Sequence, residues 1–237
     1  LMRFLCQWVI TGKLSTFAVA LEGPAGIGKT TFAKDVLSRV MNRPFHFIGL
    51  GGASDASMLV GHSYTYEGAI SGRIVDCLKK SQVMNPCLYF DELDKISNTP
   101  RGDEVANILV HLTDKEQNSH FHDKYYHGID LDVSEAMCCF SFNNRHNINP
   151  ILLDRLNVIT FKPPTVHEKM EIAQRHLIPK IKLSTGLTSD DIMIDTETLE
   201  YLISEYTNED GVRNLDKLLY KLYSSISLYK YAPSQNE

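Results

Sequence analysis

The sequence lacks the features that mark membrane-spanning, fibrous and nucleic-acid-wrapping proteins. No apolar run reaches the ~18 residues that a membrane-spanning helix needs. Acidic residues outnumber basic ones, 29 Asp and Glu against 24 Lys and Arg, and the net charge of −5 argues against a nucleic-acid partner. The composition, 43% hydrophobic and 22% charged, excludes a disordered or fibrous chain. What these absences leave is a globular protein with its own apolar core.

The five cysteines form no Cys-x-x-Cys pair, so neither a zinc ribbon nor a dithiol redox motif is indicated. Cys138 and Cys139 are adjacent in an apolar run, and they should point to opposite faces of one strand. Buried, reduced thiols are the expected state, which predicts an intracellular, reducing compartment, either the cytoplasm or the mitochondrial matrix. The sequence begins at Leu1 without a signal-peptide pattern, and we expect it to be part of a longer protein.

Short apolar runs alternate with helical patterns through the first two thirds of the sequence. The predicted strands cover residues 16–21, 45–48, 87–90, 136–142 and 158–161. This alternation favours an α/β fold with a mostly parallel sheet. After Pro163 and Pro164 the pattern is almost entirely helical, and Thr165 with Glu168 predicts a capping box. We therefore predict an α/β nucleotide-binding subdomain at 1–163 and a small helical subdomain at 164–237.

The strongest motif is GPAGIGKT, which lies between the first predicted strand and a predicted helix. It matches the G-x-x-x-x-G-K-(S/T) phosphate loop completely. Glycines let the backbone turn its N–H groups toward phosphate oxygens, while the lysine reaches the β- and γ-phosphates of ATP, or the β-phosphate of ADP. The threonine hydroxyl is a ligand for Mg²⁺. The predicted nucleotide-binding residues are Gly23, Pro24, Ala25, Gly26, Ile27, Gly28, Lys29 and Thr30.

Two acids follow the apolar run 88–90, beside the predicted phosphate loop. Asp91 suits the coordination shell of Mg²⁺, and Glu92 suits a base that orients and activates water. Two asparagines, at positions 143 and 144, directly follow the run 136–142, and an amide there could hold the attacking water. Arg155 and Arg213 follow later in the chain. Each arginine by itself could equally be a surface ion pair. A cluster of His120, His122 and His127 suggests either a zinc site or a solvated loop, and the second interpretation is favoured.

Together these motifs resemble the AAA+ ATPases, and more narrowly the ATPase module of Lon-type ATP-dependent proteases. The resemblance covers nearly the whole chain. Beyond the phosphate loop it rests on the strings at residues 61–74, 85–97, 101–118, 147–159 and 211–219. It implies a P-loop AAA+ fold in which the α/β subdomain is followed by a helical lid.

The resemblance also implies roles for single residues. Asn144 falls on the sensor-1 asparagine, Arg155 on the arginine finger that serves a neighbouring subunit, and Arg213 on the sensor-2 arginine of the lid. Tyr66 falls on the aromatic residue of the pore loop that grips unfolded protein. Glu67 departs from the pattern, because the family tends to place an apolar residue there.

The resemblance further implies a hexameric ring in the full-length protein, with unfolded proteins as substrates and no membrane partner. The chain alone is expected to be mostly monomeric. A Ser–Lys protease domain follows the module in this family, and nothing in this sequence can be nominated as its nucleophile. ATP hydrolysis coupled to substrate unfolding is the predicted function. A nucleotide-gated assembly module and a DNA-associated motor are the alternatives.

Overall fold

A computed structural model describes Ile10 and residues 18–65, 67–188 and 191–231. The chain forms two compact units. Among the described residues, the second unit comprises Pro24–Gly28 and those from Lys162 onward, and the first unit comprises the others. The sequence predicted a single boundary at Pro163, whereas here the tip of the phosphate loop groups with the second unit.

The first unit is built on a parallel sheet of five strands in the order β2-β3-β6-β1-β7. Two further short strands, β4 and β5, pair antiparallel as a hairpin. The strands within the described ranges are β1 Ala18–Glu22, β2 Phe45–Gly49, β3 Cys87–Asp91, β4 Phe121–His122, β5 Asp130–Leu131, β6 Met137–Phe142 and β7 Asn157–Thr160. The parallel α/β sheet predicted from the alternation is confirmed, and the hairpin was not predicted.

Helices connect these strands. The bounds are α1 Lys29–Thr31, which continues as the π-helical segment Phe32–Ser38, α2 Ser57–Val60, α3 Arg73–Ser81, α4 Pro100–Thr113 and α5 Pro150–Asp154. Single 3-10 turns cover Leu93–Lys95, Asn118–His120 and Arg145–Asn147. Helix α4 begins where the side chain of Thr99 caps the N–H of Gly102 and where proline occupies the first turn.

The central strands are buried on both faces, as parallel strands covered by helices must be. Ala18 and Ala20 of β1 lie in one hydrophobic cluster, and Val19 and Leu21 lie in the other. The two clusters also separate Cys138 from Cys139, which confirms that these neighbours point to opposite faces of one strand. The alternation of side chains along a strand thus produces two cores from one apolar run.

The second unit is helical. Its helices are α6 Val166–Ile172 with the π-helical continuation Ala173–Leu177, α7 Ile178–Thr185, α8 Thr196–Tyr201 with the continuation Leu202–Thr207, and α9 Arg213–Tyr231. The predicted capping box is confirmed, because Thr165 and Glu168 each bond the other's backbone N–H. Leu199, Ile203, Leu215 and Leu219 meet in one core. Within the described ranges, no helix has both the length and the apolarity that crossing a membrane requires.

Candidate functional site

The carboxyl ends of β1, β3 and β6 bring the predicted nucleotide-site residues to one edge of the sheet. In the register of the strands, Asp91 pairs with Gly49, and Glu22 pairs with Phe142. The phosphate loop leaves the sheet directly after Glu22, and Asn143 leaves it directly after Phe142. A parallel sheet therefore assembles here residues that are far apart in the sequence, as expected for ligand sites in open α/β folds.

The backbone of the phosphate loop depends on glycine. Gly26 has φ +79° and Gly28 has φ +90°, in the left-handed region that side chains disfavour. At the start of helix α1, directly after the loop, Lys29 is 9% exposed. Its Nζ donates to the carbonyl oxygen of Gly23 at 2.5 Å and to Oδ1 of Asn143 at 2.7 Å. The ammonium is therefore held between the loop and the end of β6.

The hydroxyl of Tyr89 links the two predicted magnesium ligands. It lies 3.0 Å from Oγ1 of Thr30 and donates to Oδ1 of Asp91 at 3.4 Å. The same carboxylate oxygen accepts a short hydrogen bond from Ser141. Burial raises the pKa of Tyr89 to about 12, so the phenol keeps its proton at neutral pH. A hydroxyl and a carboxylate oriented in this way form a hard oxygen donor set, which fits Mg²⁺.

Glu92 is exposed and has a strained backbone, with φ 60° and ψ 45°. A non-glycine residue in the left-handed region costs about 1–2 kcal/mol, and such strain tends to be found at functional sites. The side chain of Glu92 lies over the backbone of Gly51, where a Cβ would be only 2.0 Å from Oε2. The glycine-rich loop after β2 thus leaves room for the predicted catalytic carboxylate.

The two asparagines after β6 have different surroundings. Asn143 directs its amide oxygen at Lys29, whereas the amide oxygen of Asn144 accepts from the N–H of His146 at 3.0 Å and caps a 3-10 turn. Both backbone N–H groups donate to Oδ2 of the buried Asp94, at 3.3 and 3.1 Å. Among the described residues, Oδ1 of Asp94 has no hydrogen-bond partner. The structure therefore brings Asn143, and not the amide of Asn144, to the lysine of the phosphate loop.

The predicted arginine finger makes an ion pair inside the first unit. Nη1 of Arg155 donates to Oδ2 of Asp114 at 2.6 Å, and the Arg155 side chain is 34% exposed. A backbone hydrogen bond from Glu116 and the bond from Arg155 lower the pKa of Asp114. Asp114 directly follows helix α4, so the pair links that helix to the segment after α5.

A second ion pair joins the start of the phosphate loop to the segment after β6. Arg145 grips Glu22 with two hydrogen bonds, of which Nε to Oε1 is 2.8 Å. Thr160 of β7 donates to the same carboxylate at 3.0 Å. The bonds from Arg145 lower the pKa of Glu22. Three neighbouring strands are thus tied together at the edge that carries the site.

Within the second unit, the tip of the phosphate loop packs against the start of helix α9. The N–H of Val212 donates to the carbonyl oxygen of Gly26 at 3.1 Å. A Cβ on Gly211 would lie 2.5 Å from the backbone of Gly26, and a Cβ on Gly26 would lie 2.9 Å from the Cβ of Arg213 and 3.2 Å from its backbone nitrogen. Only glycines allow this close approach, which brings the backbone of the predicted sensor-2 arginine to the loop.

The predicted pore-loop residue Tyr66 lies outside the described residues. Its neighbour Glu67 is exposed, as is Tyr64 on the other side. The loop is closed at its base, where the N–H of His62 donates to the carbonyl oxygen of Ile70 at 3.1 Å. The exposed side chain of Ile70 is a further apolar surface on this loop.

The histidines of the β4–β5 hairpin pair with a carboxylate. Nδ1 of His120 and Nδ1 of His122 lie 2.9 and 3.0 Å from the two oxygens of Asp130. In the described part of the chain, no group of three or more His, Cys, Asp or Glu residues could hold a metal ion. His127 is exposed and takes no part in these ion pairs.

Tyr89 and Gly51 were not predicted from the sequence, and of the two asparagines after β6 the resemblance singled out Asn144 and not Asn143. Tyr89 could have been found, because residues two apart on a strand share a face, and Tyr89 precedes Asp91 by two. It was read only as part of an apolar strand. Gly51 and Asn143 depend on contacts with Glu92 and Lys29, which no local pattern reveals.

Comparison with known proteins gives the same result as the motifs. The profile of the AAA family, described as ATPase family associated with various cellular activities, matches residues 19–164. The profile described as Lon protease AAA+ ATPase lid domain matches residues 184–230.

The curated relatives are much longer than this chain. A Lon protease homolog of Acanthamoeba polyphaga mimivirus is 37% identical over 232 residues, which are 98% of this chain and 23% of that protein. A mitochondrial Lon protease homolog of Schizosaccharomyces pombe is 40% identical over 218 residues, 92% of this chain and 20% of that protein. The chain thus spans less than a quarter of the length of these relatives. Both profiles match in order, and the phosphate loop, the acids at the end of β3 and the helical unit are all present. The chain therefore belongs to the AAA ATPase family, as an AAA+ ATPase module of the Lon type.

Proposed function

We propose that this module binds ATP together with Mg²⁺ and hydrolyses it with Glu92 as the general base. The contact of Lys29 with Asn143, at the edge where Asp91 and Glu92 leave the sheet, is the observation that carries the proposal. Lys29 exchanges its contacts with Gly23 and Asn143 for the β- and γ-phosphates. Glu92, exposed beside Gly51, then holds a water and accepts its proton.

Thr30 and Asp91 hold the metal in this proposal. Thr30 offers its hydroxyl oxygen, and Asp91 offers the carboxylate oxygen Oδ2, because Oδ1 already accepts from Ser141 and Tyr89. When bound, Mg²⁺ supplies positive charge that balances the phosphates.

We assign the sensing of the γ-phosphate to Asn143. Its amide oxygen lies 2.7 Å from the lysine that contacts the phosphate, so its position depends on whether the lysine is engaged. The resemblance suggested Asn144, whose amide oxygen caps a turn instead. Asn143→Ala is expected to slow hydrolysis far more than Asn144→Ala. The reverse order would return the role to Asn144.

In the whole protein, we propose that subunits form a hexameric ring that pulls unfolded protein into a protease domain. Arg155 would then leave Asp114 for the ATP of a neighbouring subunit, Arg213 would contact nucleotide from the lid, and Tyr66 with Glu67 would contact the substrate. The names of the relatives, which are Lon protease homologs, support this proposal. The buried, unpaired thiols support a reducing compartment, and some relatives are named mitochondrial.

Two substitutions test the nucleotide site. Lys29→Ala should abolish binding of a fluorescent ATP analogue, because it removes the cation that meets the phosphates. Lys34→Ala is the matched control, since this lysine follows on from α1 and is exposed. Binding by Lys29→Ala equal to that of the control would contradict the site.

Glu92→Gln should keep nucleotide affinity and lose phosphate release, because the amide keeps the shape of the side chain but cannot accept the proton. Glu104→Gln, on the exposed face of α4, is its control. Release of phosphate at the control rate would remove Glu92 from the mechanism. A protein that binds nucleotide but releases no phosphate in any variant, at any protein concentration, would favour the nucleotide-gated assembly module.

A further inference from the structure

Tyr89 is a fully buried tyrosine whose hydroxyl lies between the two predicted magnesium ligands. Tyr89 is 0% exposed. It lies in the hydrophobic cluster that also contains Leu21 of β1 and Leu37 of the helical segment after the phosphate loop. The hydroxyl reaches Thr30 at 3.0 Å and Asp91 at 3.4 Å. A buried tyrosine hydroxyl usually has a polar partner, and here both partners are residues of the active site.

The core holds the ring of Tyr89 in place independently of these partners. Its centroid lies 5.6 Å from that of Phe45 and 5.8 Å from that of Phe47. Phe45 is only partly buried and Phe47 is 47% exposed, but Tyr89 itself is fully buried in the cluster of Leu21 and Leu37, and a packed interior leaves a ring little freedom. The hydroxyl is therefore a fixed point from which the more mobile side chains of Thr30 and Asp91 can be oriented.

The donors and acceptors set the direction of the hydrogen bonds. The carboxylate of Asp91 can only accept, and Tyr89 has a single proton to donate to it. Either hydroxyl of the Thr30–Tyr89 pair can donate, and with the Tyr89 proton directed at Asp91 the Tyr89 oxygen accepts the proton of Thr30. In this arrangement the Thr30 proton points at Tyr89, and the lone pairs of the Thr30 oxygen remain available to a cation. A threonine oxygen that ligates a cation needs this orientation, because a proton pointing at the cation would be repelled.

We propose that Tyr89 is a positioning residue for the magnesium site, and that its hydroxyl fixes the orientation of both Thr30 and Asp91. This inference rests on the proposed function, in which those two residues hold the metal. Tyr89 does not contact the metal or the nucleotide. Because Tyr89 already holds Thr30 and Asp91 in place, these two side chains lose less conformational freedom when the metal binds.

Tyr89→Phe is the direct test, because it removes one oxygen and keeps the ring. The loss of this oxygen should weaken metal binding by about 3- to 10-fold, the size of one hydrogen bond. Mn²⁺ serves as the probe, measured by electron paramagnetic resonance with the protein saturated with ADP. Affinity for ADP in the presence of EDTA should not change, because Tyr89 has no part in binding phosphate. The Mg²⁺ concentration needed for half-maximal hydrolysis should rise by the same factor, while the rate at saturating Mg²⁺ stays the same.

Tyr223→Phe is the matched control, since Tyr223 is 1% exposed in the core of the second unit. Unfolding temperature and circular dichroism report whether each variant folds. If Tyr89→Phe does not fold, Tyr89→Leu also lacks the hydroxyl and carries the same expectation.

Thr30→Ala separates the two proposals. If Thr30→Ala weakens Mn²⁺ binding and Tyr89→Phe leaves it unchanged, the role of Tyr89 is wrong and the metal site stands. If Tyr89→Phe weakens ADP binding in EDTA by the same factor as Mn²⁺ binding, its effect is a general one and the inference is also overturned. If Thr30→Ala leaves Mn²⁺ binding unchanged, the proposed metal site itself fails.

Discussion

Gly51 lies against Glu92, and an alanine at this position should disable hydrolysis while preserving nucleotide binding. A Cβ on residue 51 would lie 2.0 Å from Oε2 and 3.1 Å from Cδ of Glu92. Gly51 does not have a positive φ, so its backbone conformation would accept alanine. The loop cannot retreat, because Leu50 donates to the carbonyl of Asp91 at 2.9 Å and Gly52 donates to that of Lys95 at 3.2 Å. The carboxylate of Glu92 must therefore move.

The size of this movement sets the expected effect. An ordinary contact needs roughly 3.4 Å, so the carboxylate must shift by about 1.4 Å. A misplacement of about 1 Å can cost ~100-fold in rate, and we expect hydrolysis by Gly51→Ala to fall by about 10- to 100-fold. The assay compares steady-state phosphate release with the affinity for a fluorescent ATP analogue, which should not change.

Gly49→Ala is the control within the same segment. Its Cβ would meet only the ring of Phe47, at an ordinary 3.6 Å, and it should keep wild-type activity. Wild-type hydrolysis by Gly51→Ala would refute the reasoning, because it would mean that the position of the Glu92 carboxylate does not matter. An equal loss in Gly49→Ala would point to the loop as a whole and not to the contact with Glu92.

Three further predictions concern assembly, pH and the thiols. Hydrolysis per molecule should rise with protein concentration in the wild type and stay flat in Arg155→Ala, if Arg155 serves a neighbouring subunit; equal concentration dependence would contradict this. The ion pair with Arg145 lowers the pKa of Glu22 below its ordinary 4.5. The pair therefore stabilises the fold fully above that pH, and this stabilisation is lost as the pH falls and Glu22 becomes protonated. Urea unfolding should therefore show that Glu22→Gln is less stable than the wild type at pH 7 and that the difference disappears in acid. The difference should be under about 1 kcal/mol, because Arg145 is half-exposed. A difference that does not depend on pH would exclude the ion pair as its cause. Burial raises the pKa of four thiols, those of Cys77, Cys87, Cys138 and Cys139. Iodoacetamide should therefore label them in urea but only slowly in the native protein. Rapid labelling of the native protein would contradict this, because it would show that the thiols are accessible.

Local patterns were sufficient to predict the fold class. Apolar runs of strand length alternating with helical periods predict a parallel sheet, because each period reflects the geometry of a single element. The capping box at Thr165 and Glu168 was predictable for the same reason, since its hydrogen bonds join residues three apart. The phosphate loop was equally clear, because the loop needs its glycines within one turn of backbone.

Periodicity was less reliable for the helices of the second unit. By helical spacing, Tyr206 falls on the apolar stripe of Leu199 and Ile203, and Leu222 falls on that of Leu215 and Leu219, yet Tyr206 and Leu222 are exposed, at 68% and 38%. Tyr223 is buried in place of Leu222. Two neighbouring apolar residues differ by only about 100° around a helix. The position of the packing partner, and not the pattern, decides which of them enters the core.

The chemistry of the site divides in the same way. The sequence alone determined which residue types were available, namely the lysine and threonine of the loop and the acids Asp91 and Glu92. Only the tertiary structure decided that Asn143 and not Asn144 contacts Lys29, 114 positions away. It also decided that the hydroxyl of Tyr89, which shares a face of β3 with Asp91, reaches Thr30 at the start of α1, 59 positions away. The physical reason is that these contacts join separate elements, the start of α1 with the end of β6 and with β3, so the packing of the elements and not the local sequence decides which side chains meet.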